Sequence, residues 1–251
     1  MNGFGTMALV SLLFLQTTAT SPSQKVDEVV AAVSKNVDTF WNQLPDFICN
    51  EKITSTSFES GLIREQKIVE SIFTSSRKSG PQRQITTIDG KPAKKNAKMP
   101  DLPVNWNVNF GFAVQSTFTP SILKYHNYSF GPKAAEDGKL NISFETKKEQ
   151  QGIKWNLAGK NLIARDAGTA WIDTATSQLT QIERNFFNLP NSLSRMSASS
   201  EYGPVTIGPN TFWLPKYVRM ESVERDLRKS GVYLAEYRNC RKFGAEVTLV
   251  P

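Results

Sequence analysis

The chain has 251 residues, of which 39% are hydrophobic and 21% charged, with a formal net charge of +7; that is a globular composition, which excludes disordered and collagen-like chains. Its length suffices to bury a sizeable core as one large β domain or two small ones. The positive charge is scattered, with local groups at Lys91, Lys94, Lys95 and Lys98, at Arg225, Arg228 and Lys229, and at Arg238, Arg241 and Lys242, whereas nucleic-acid binding asks for a basic stripe interleaved with exposed aromatics.

Met7 to Leu15 form an uncharged apolar run followed by Thr17, Thr18, Ala19, Thr20 and Ser21. This reads as a secretory leader over residues 1–20, cut near Ala19, although no Lys or Arg precedes the run. The run is shorter than the roughly 20 apolar residues that span a bilayer. Residues 21–251 then read as one exported domain. The two cysteines, Cys49 and Cys240, lie near opposite ends of it, and an even count in an exported chain is usually a bridge. The alternative is two buried thiols in unrelated places.

Ser21-Pro22-Ser23-Gln24 has the form of a capping box with proline at the first helical position. Val26, Val29, Val30, Val33, Val37, Phe40 and Trp41 follow on one helical face, and Leu44-Pro45 ends the helix. The period then changes. Phe47, Cys49, Glu51 and Ile53 alternate with polar neighbours, and residues 62–74 continue the extended pattern after the turn-like Glu59-Ser60-Gly61. Asp89-Gly90 is a hairpin turn, because both central positions need positive φ. Every even position from Leu102 to Val114 is apolar, which predicts a strand with one apolar face or a cover over the sheet. Thr119-Pro120 predicts a short helix start. Further strands are expected at 140–146, 152–158, 161–165, 169–173, 178–185, 200–207, 212–224, 232–237 and 243–249. Many short strands at near-regular spacing mean an all-β sheet, sandwich or barrel, and nothing alternates strand with helix as a doubly wound fold requires.

Catalytic constellations are thin. His126 is the only histidine, so zinc sites built on two or three histidines are excluded. No G-x-S-x-G elbow accompanies it, and beside Asn127 and Tyr128 it reads as a surface loop histidine. Glu221, Glu224 and Asp226 form the densest acidic group, but Arg219, Arg225 and Arg228 lie among them, so a salt-laced surface is the better reading than paired acids for glycoside hydrolysis. No catalytic residue, metal or cofactor is expected. What the sequence supplies instead is aromatic surface, with five tryptophans and fifteen phenylalanines. A curved sheet and one helix could arrange these around an apolar cavity.

Three stretches carry a resemblance. Gly168-Thr-Ala-Trp-Ile-Asp-Thr-Ala-Thr-Ser-Gln-Leu-Thr-Gln-Ile-Glu183 resembles the Trp-Ile-Asp hairpin of the half-barrel lipoprotein carriers, the LolA-like proteins of the bacterial envelope. Phe212-Trp-Leu-Pro215 with Tyr217 to Glu221 is similar to their later strand, and Tyr237-Arg-Asn-Cys-Arg-Lys-Phe243 to their terminal one. Leu44-Pro-Asp-Phe-Ile-Cys49 and Asp89-Gly-Lys-Pro92 resemble an exported bacterial group of the same layout. The resemblance implies a mainly β fold: a curved antiparallel sheet or incomplete β-barrel, with the N-terminal helix and short helices covering its mouth. It implies a non-enzymatic periplasmic protein that binds a lipid or lipoprotein acyl group in an apolar cavity. Trp106, Phe110, Phe112, Phe118, Trp155, Trp171 and Trp213 are the expected lining. The alternative is an envelope structural or stress-sensing module that binds a protein partner. Contact with nucleic acid is not expected, and peripheral membrane contact fits either reading.

Overall fold

A computed structural model of the chain describes residues 22–105, 117–131, 138–148, 153–157 and 160–244, with the backbone alone at 22–24, 153–157 and 160–164. The expected leader lies outside the described residues.

Helix α1 (Pro22–Gln43) is followed by β1 (Phe47–Glu59), β2 (Leu62–Ser76), β3 (Gly80–Ile88) and the two-residue β4 (Lys91–Pro92). After the short α2 (Pro120–Leu123) come β5 (His126–Phe130), β6 (Lys139–Thr146), β7 (Ile153–Leu157), β8 (Lys160–Asp173), β9 (Leu179–Phe187), β10 (Leu193–Ile207), β11 (Asn210–Glu224) and β12 (Lys229–Lys242). The strands form one antiparallel sheet in the order β4-β3-β2-β1-β12-β11-β10-β9-β8-β6-β5, with β7 paired to β8 beside that path. The edges β4 and β5 do not meet, so the sheet is mainly β, curved and not closed into a barrel, as the resemblance implies. Register shifts at Ile48/Asn50, Ser57/Phe58, Glu70/Ser71 and Glu201/Tyr202 are the irregularities that bend long strands and strengthen their twist.

The first and last strands pair in the middle of the sheet, from Phe47 opposite Lys242 to Glu59 opposite Lys229. Cys49 and Cys240 are joined there by a disulfide, with their Cα atoms 4.1 Å apart. At that point two residues of β12, Asn239 and Cys240, lie between the partners of Ile48 and Asn50. Asn239 takes φ 52°, a left-handed conformation that asparagine tolerates better than most residues.

Two apolar clusters lie against the sheet. In one, Val26, Val30, Val33 and Val37 of α1 pack on Ile142, Phe144, Ala170, Ile172, Ile182 and Tyr202, all buried. Their spacing is the helical stripe read from the sequence. In the other, Phe47, Ile53, Val69, Phe73, Leu214, Met220 and Tyr237 of β1–β2 and β11–β12 are covered by Ala93, Ala97, Met99, Leu102 and Val104. The lysine-containing loop after β4 is thus the outer side of a strap.

Of the two readings left open for Leu102 to Val114, a strand or a cover over the sheet, the strap is the cover as far as the chain is described. Residues 102–105 carry no strand, and 106–114 lie outside the described residues. The physical reason is local. Pro100 and Pro103 lack N–H donors, and the Val104 backbone is satisfied by a side chain, its N–H donating to Ser55 Oγ at 2.9 Å while Ser55 Oγ donates to its carbonyl at 2.8 Å. Gly231 makes the close approach, since a Cβ there would lie 2.3 Å from Val104 Cγ2.

Other differences have equally local causes. The stretches expected at 161–165 and 169–173 are one continuous strand, β8. Gly168 does not break it but permits it, because a Cβ at Gly168 would stand 1.9 Å from the Glu183 carbonyl oxygen. β10 begins at Leu193, several residues before the expected 200, through Ser and Ala positions that carry little pattern. Phe243 and Gly244 are not in a strand, and the rest of the expected 243–249 strand lies outside the described residues. Asp89 and Gly90 both take positive φ, 50° and 75°, as the hairpin reading required.

Candidate functional site

Where α1 meets the sheet, a crevice of about 30 Å³ is lined by Val33, Val37, Phe40 and Trp41 of the helix and by Leu179, Tyr202, Trp213 and Pro215 of the sheet. A water needs roughly 10–15 Å³ of this measure, whereas ligand pockets run to about 300–1,000 Å³. The seam is therefore apolar but closed. Roomier recesses lie elsewhere, among polar and charged residues: about 330 Å³ beside Asn50, Lys52, Glu70, Glu236 and Arg238, about 270 Å³ beside Glu145, Thr146, Arg165 and Asp166, and about 240 Å³ beside Glu183, Arg184, Arg219 and Glu221.

The residues expected to line a cavity are placed as follows. Trp213 lines the crevice. Phe118 is fully buried in the α1 cluster, its ring 5.8 Å from that of Tyr128. Trp171 is half-buried and alternates out of phase with the buried Ala170 and Ile172, so it belongs to the other face of β8. Trp106, Phe110, Phe112 and the side chain of Trp155 lie outside the described residues. Phe40 and Trp41, read from the sequence only as part of the apolar helical face, and Tyr202 join the crevice.

Among the described residues, the side-chain hydrogen bonds that tie the helix to the sheet fall in its C-terminal half and just beyond it. Arg77, in the β2–β3 turn, donates to the carbonyls of Asn42 and Leu44, the latter at 3.0 Å, where a cation also complements the helix dipole. Asn36 Nδ2 donates to the carbonyls of Thr176 and Ser177 at 2.9 and 3.0 Å, in the β8–β9 turn. The N-terminal half rests on its valines.

Two buried charged clusters were not anticipated. His126 is 3% exposed, which overturns its reading as a surface loop residue. It opens β5, whose Asn, Tyr and Ser resemble a loop because the strand is short and lies at the edge. Its Nε2 is 2.9 Å from Asp166 Oδ1. Thr146 Oγ1 donates to the same oxygen at 2.6 Å, and Arg184 reaches Asp166 Oδ2 at 2.9 Å. Arg184 also donates to Thr117 Oγ1, and its guanidinium lies 5.6 and 5.7 Å from the Phe144 and Phe186 ring centroids. In the second cluster, Arg83 holds buried Glu51 through two bonds of 2.6 and 2.8 Å, and Ser71 Oγ donates to Glu51 at 2.8 Å. Burial and the nearby Glu51 charge push the Tyr233 and Tyr237 hydroxyls up, keeping both protonated.

The His126–Asp166 cluster does not have the geometry of a hydrolase relay. In a Ser-His-Asp relay the hydroxyl lies on the histidine and the acid orients it from behind, whereas here the Thr146 hydroxyl and the histidine both lie on the acid. Burial raises the Asp166 carboxyl, but Arg184, His126 and Thr146 outweigh it and hold its pKa at about 2. At neutral pH such a group is a weak base and not an acid. Glu221, considered for hydrolysis, is paired with Arg219 at 2.6 Å on the surface, in keeping with a salt-laced face.

Because the folded pKa of Asp166 is depressed, its contribution to stability is fully present above the unfolded value near 3.8 and is lost as pH falls toward 2. At about 1.4 kcal/mol per pK unit this amounts to about 2 kcal/mol. Urea unfolding of the wild type should weaken between pH 5 and pH 2, and Asp166→Asn should show a correspondingly shallower pH slope. Equal slopes would refute the assignment.

No family model matches the sequence, and no curated protein matches it. Among solved structures the chain is similar to a LolA superfamily protein from Nitrosomonas europaea, at 10% identity and TM-score 0.41, over 90% of this chain and 96% of that one. It is similar to an outer membrane lipoprotein-sorting protein domain from Vibrio parahaemolyticus at 10% identity and TM-score 0.42, over 90% and 95%. A DUF1329 family protein from Desulfovibrio piger matches at 10% identity and TM-score 0.38, over 92% and 96%.

Proposed function

We propose that this chain is a non-enzymatic exported protein that holds one acyl chain, of a lipid or a lipoprotein, between α1 and the apolar side of its open sheet. The observation that carries this reading is the uneven tethering of α1. The helix lies on valines along its N-terminal part and is tied by Asn36 and Arg77 toward its C-terminal end. A ligand enters by lifting the helix, not by filling a standing hollow, which is why the closed seam measures only about 30 Å³. The exchange replaces one apolar partner by another, and each buried methylene contributes about 0.8 kcal/mol. The Cys49–Cys240 bridge supports an oxidising compartment, which for an exported envelope protein is the periplasm. Native mass spectrometry of the protein with a monoacylglycerol tests the proposal. A 1:1 adduct is expected, and a protein that stays bare across the titration rules it out.

A second reading, a module that binds an envelope protein, is favoured by a different observation. Leu62, Ile63 and Leu227 are 75%, 62% and 72% exposed at the tips of the β1–β2 and β11–β12 hairpins. The Ser60 N–H donates to the Arg228 carbonyl at 2.7 Å and joins the two tips. Serine at all three positions should abolish a crosslinked partner under this reading and leave acyl binding intact under the first.

A further inference from the structure

We propose that the Trp41 indole N–H is the polar anchor of the seam and that it selects a neutral acyl ester, donating a hydrogen bond to the ester carbonyl. This rests on the acyl-binding reading and names the ligand class. Trp41 lies on the last turn of α1, packs against both apolar clusters and lines the crevice. Its ring is set edge-on to Phe40 with centroids 4.9 Å apart. Its Nε1 is buried and has no hydrogen-bond partner among the described residues. An indole N–H donates only, and a buried polar group without a partner is costly enough to be rare in folded proteins. A ligand that completes it, in place of a water the crevice is large enough to hold, brings an acceptor oxygen.

The rest of the lining decides which acceptor. Besides its apolar residues the crevice offers Asn36, Gln178 and the hydroxyl-bearing Tyr202 and no charged side chain, and Asn36 already donates to the Thr176 and Ser177 carbonyls. A carboxylate or phosphate oxygen would have to leave water with no cation to receive it, which is strongly unfavourable. A plain hydrocarbon leaves the N–H unmet. An ester carbonyl meets it without carrying charge. The position suits the task, because Arg77 ties the Asn42 and Leu44 carbonyls beside Trp41 and keeps this end of the helix in place while the valine-bearing end lifts.

Affinities of the full chain for methyl decanoate, decanoate and undecane at pH 7.5, by displacement of a fluorescent acyl probe, test the inference. The wild type should bind the ester about five- to tenfold more tightly than undecane, the ratio one neutral hydrogen bond supplies, and more tightly than the carboxylate. Trp41→Phe keeps the ring packing and removes the donor, so it should bind ester and undecane within twofold while its undecane affinity stays at the wild-type value. A Trp41→Phe variant that retains the ester preference, or a wild type that binds decanoate as well as the ester, overturns the anchor but not the site. A wild type that binds none of the three overturns the acyl-binding reading and the anchor together.

Discussion

Arg184→Met should lower the free energy of unfolding by about 3–5 kcal/mol, the range for removing one partner of a buried ion pair. Asp166 is 2% exposed and Arg184 1%, so each charge is largely desolvated and depends on the other, although both border surface recesses. The variant leaves the carboxylate with His126 and Thr146 alone. Adding Asp166→Asn to Arg184→Met should recover most of the loss, because the amide keeps a polar group beside Thr146 and removes the unpaired charge. Urea midpoints at constant m value measure both. A single variant within 1 kcal/mol of wild type would mean that the cluster contributes little, and failure of the second change to rescue would mean that packing on Phe144 and Phe186 dominates.

Replacing both cysteines by alanine should cost about 2–5 kcal/mol. The upper figure follows from loop-closure entropy for residues 191 apart, which the chain-entropy relation converts to about 5 kcal/mol. Pairing of β1 with β12 closes the longest loop in the chain, and the bridge forms it in advance in the unfolded ensemble. The wild type in reductant should unfold at the same urea concentration as the double variant. A reduced protein as stable as the oxidised one would remove the bridge from the account.

Most of the sheet could be read from alternation, because strands with one buried face write their phase into the sequence. Phe47, Cys49, Glu51 and Ile53 are all inward, as their spacing requires. The same phase contained a signal that was passed over. Glu51 sits at an inward position, and Asp166 shares the phase of the buried Ala170 and Ile172. A charged residue in such a position needs a partner of opposite sign from elsewhere in the sheet, and Arg184 on the adjacent β9 and Arg83 on β3, two strands from β1, supply them. Recognising this needs the strand order, which local pattern does not carry. His126 is hard to place for a related reason: His126, Tyr128 and Phe130 alternate with Asn127 and Ser129, but a run of five residues at the sheet edge is too short to distinguish a strand from a loop. The strap over β1 and β12 is one of two readings the sequence leaves open, because apolar alternation at Leu102 and Val104 is what a strand shows and also what a chain produces when it lies across a sheet with every second residue down. The crevice residues Phe40 and Trp41 were visible on the helical face, but only the fold brings Tyr202 and Trp213 to them.

The account turns on whether α1 lifts from the sheet to admit a ligand. Amide hydrogen exchange with and without a monoacylglycerol measures this directly. Faster exchange through Val26–Val37 on ligand addition, with β1 and β12 unchanged, is the result expected. Exchange in α1 that is unaffected or slowed by saturating ligand would contradict it.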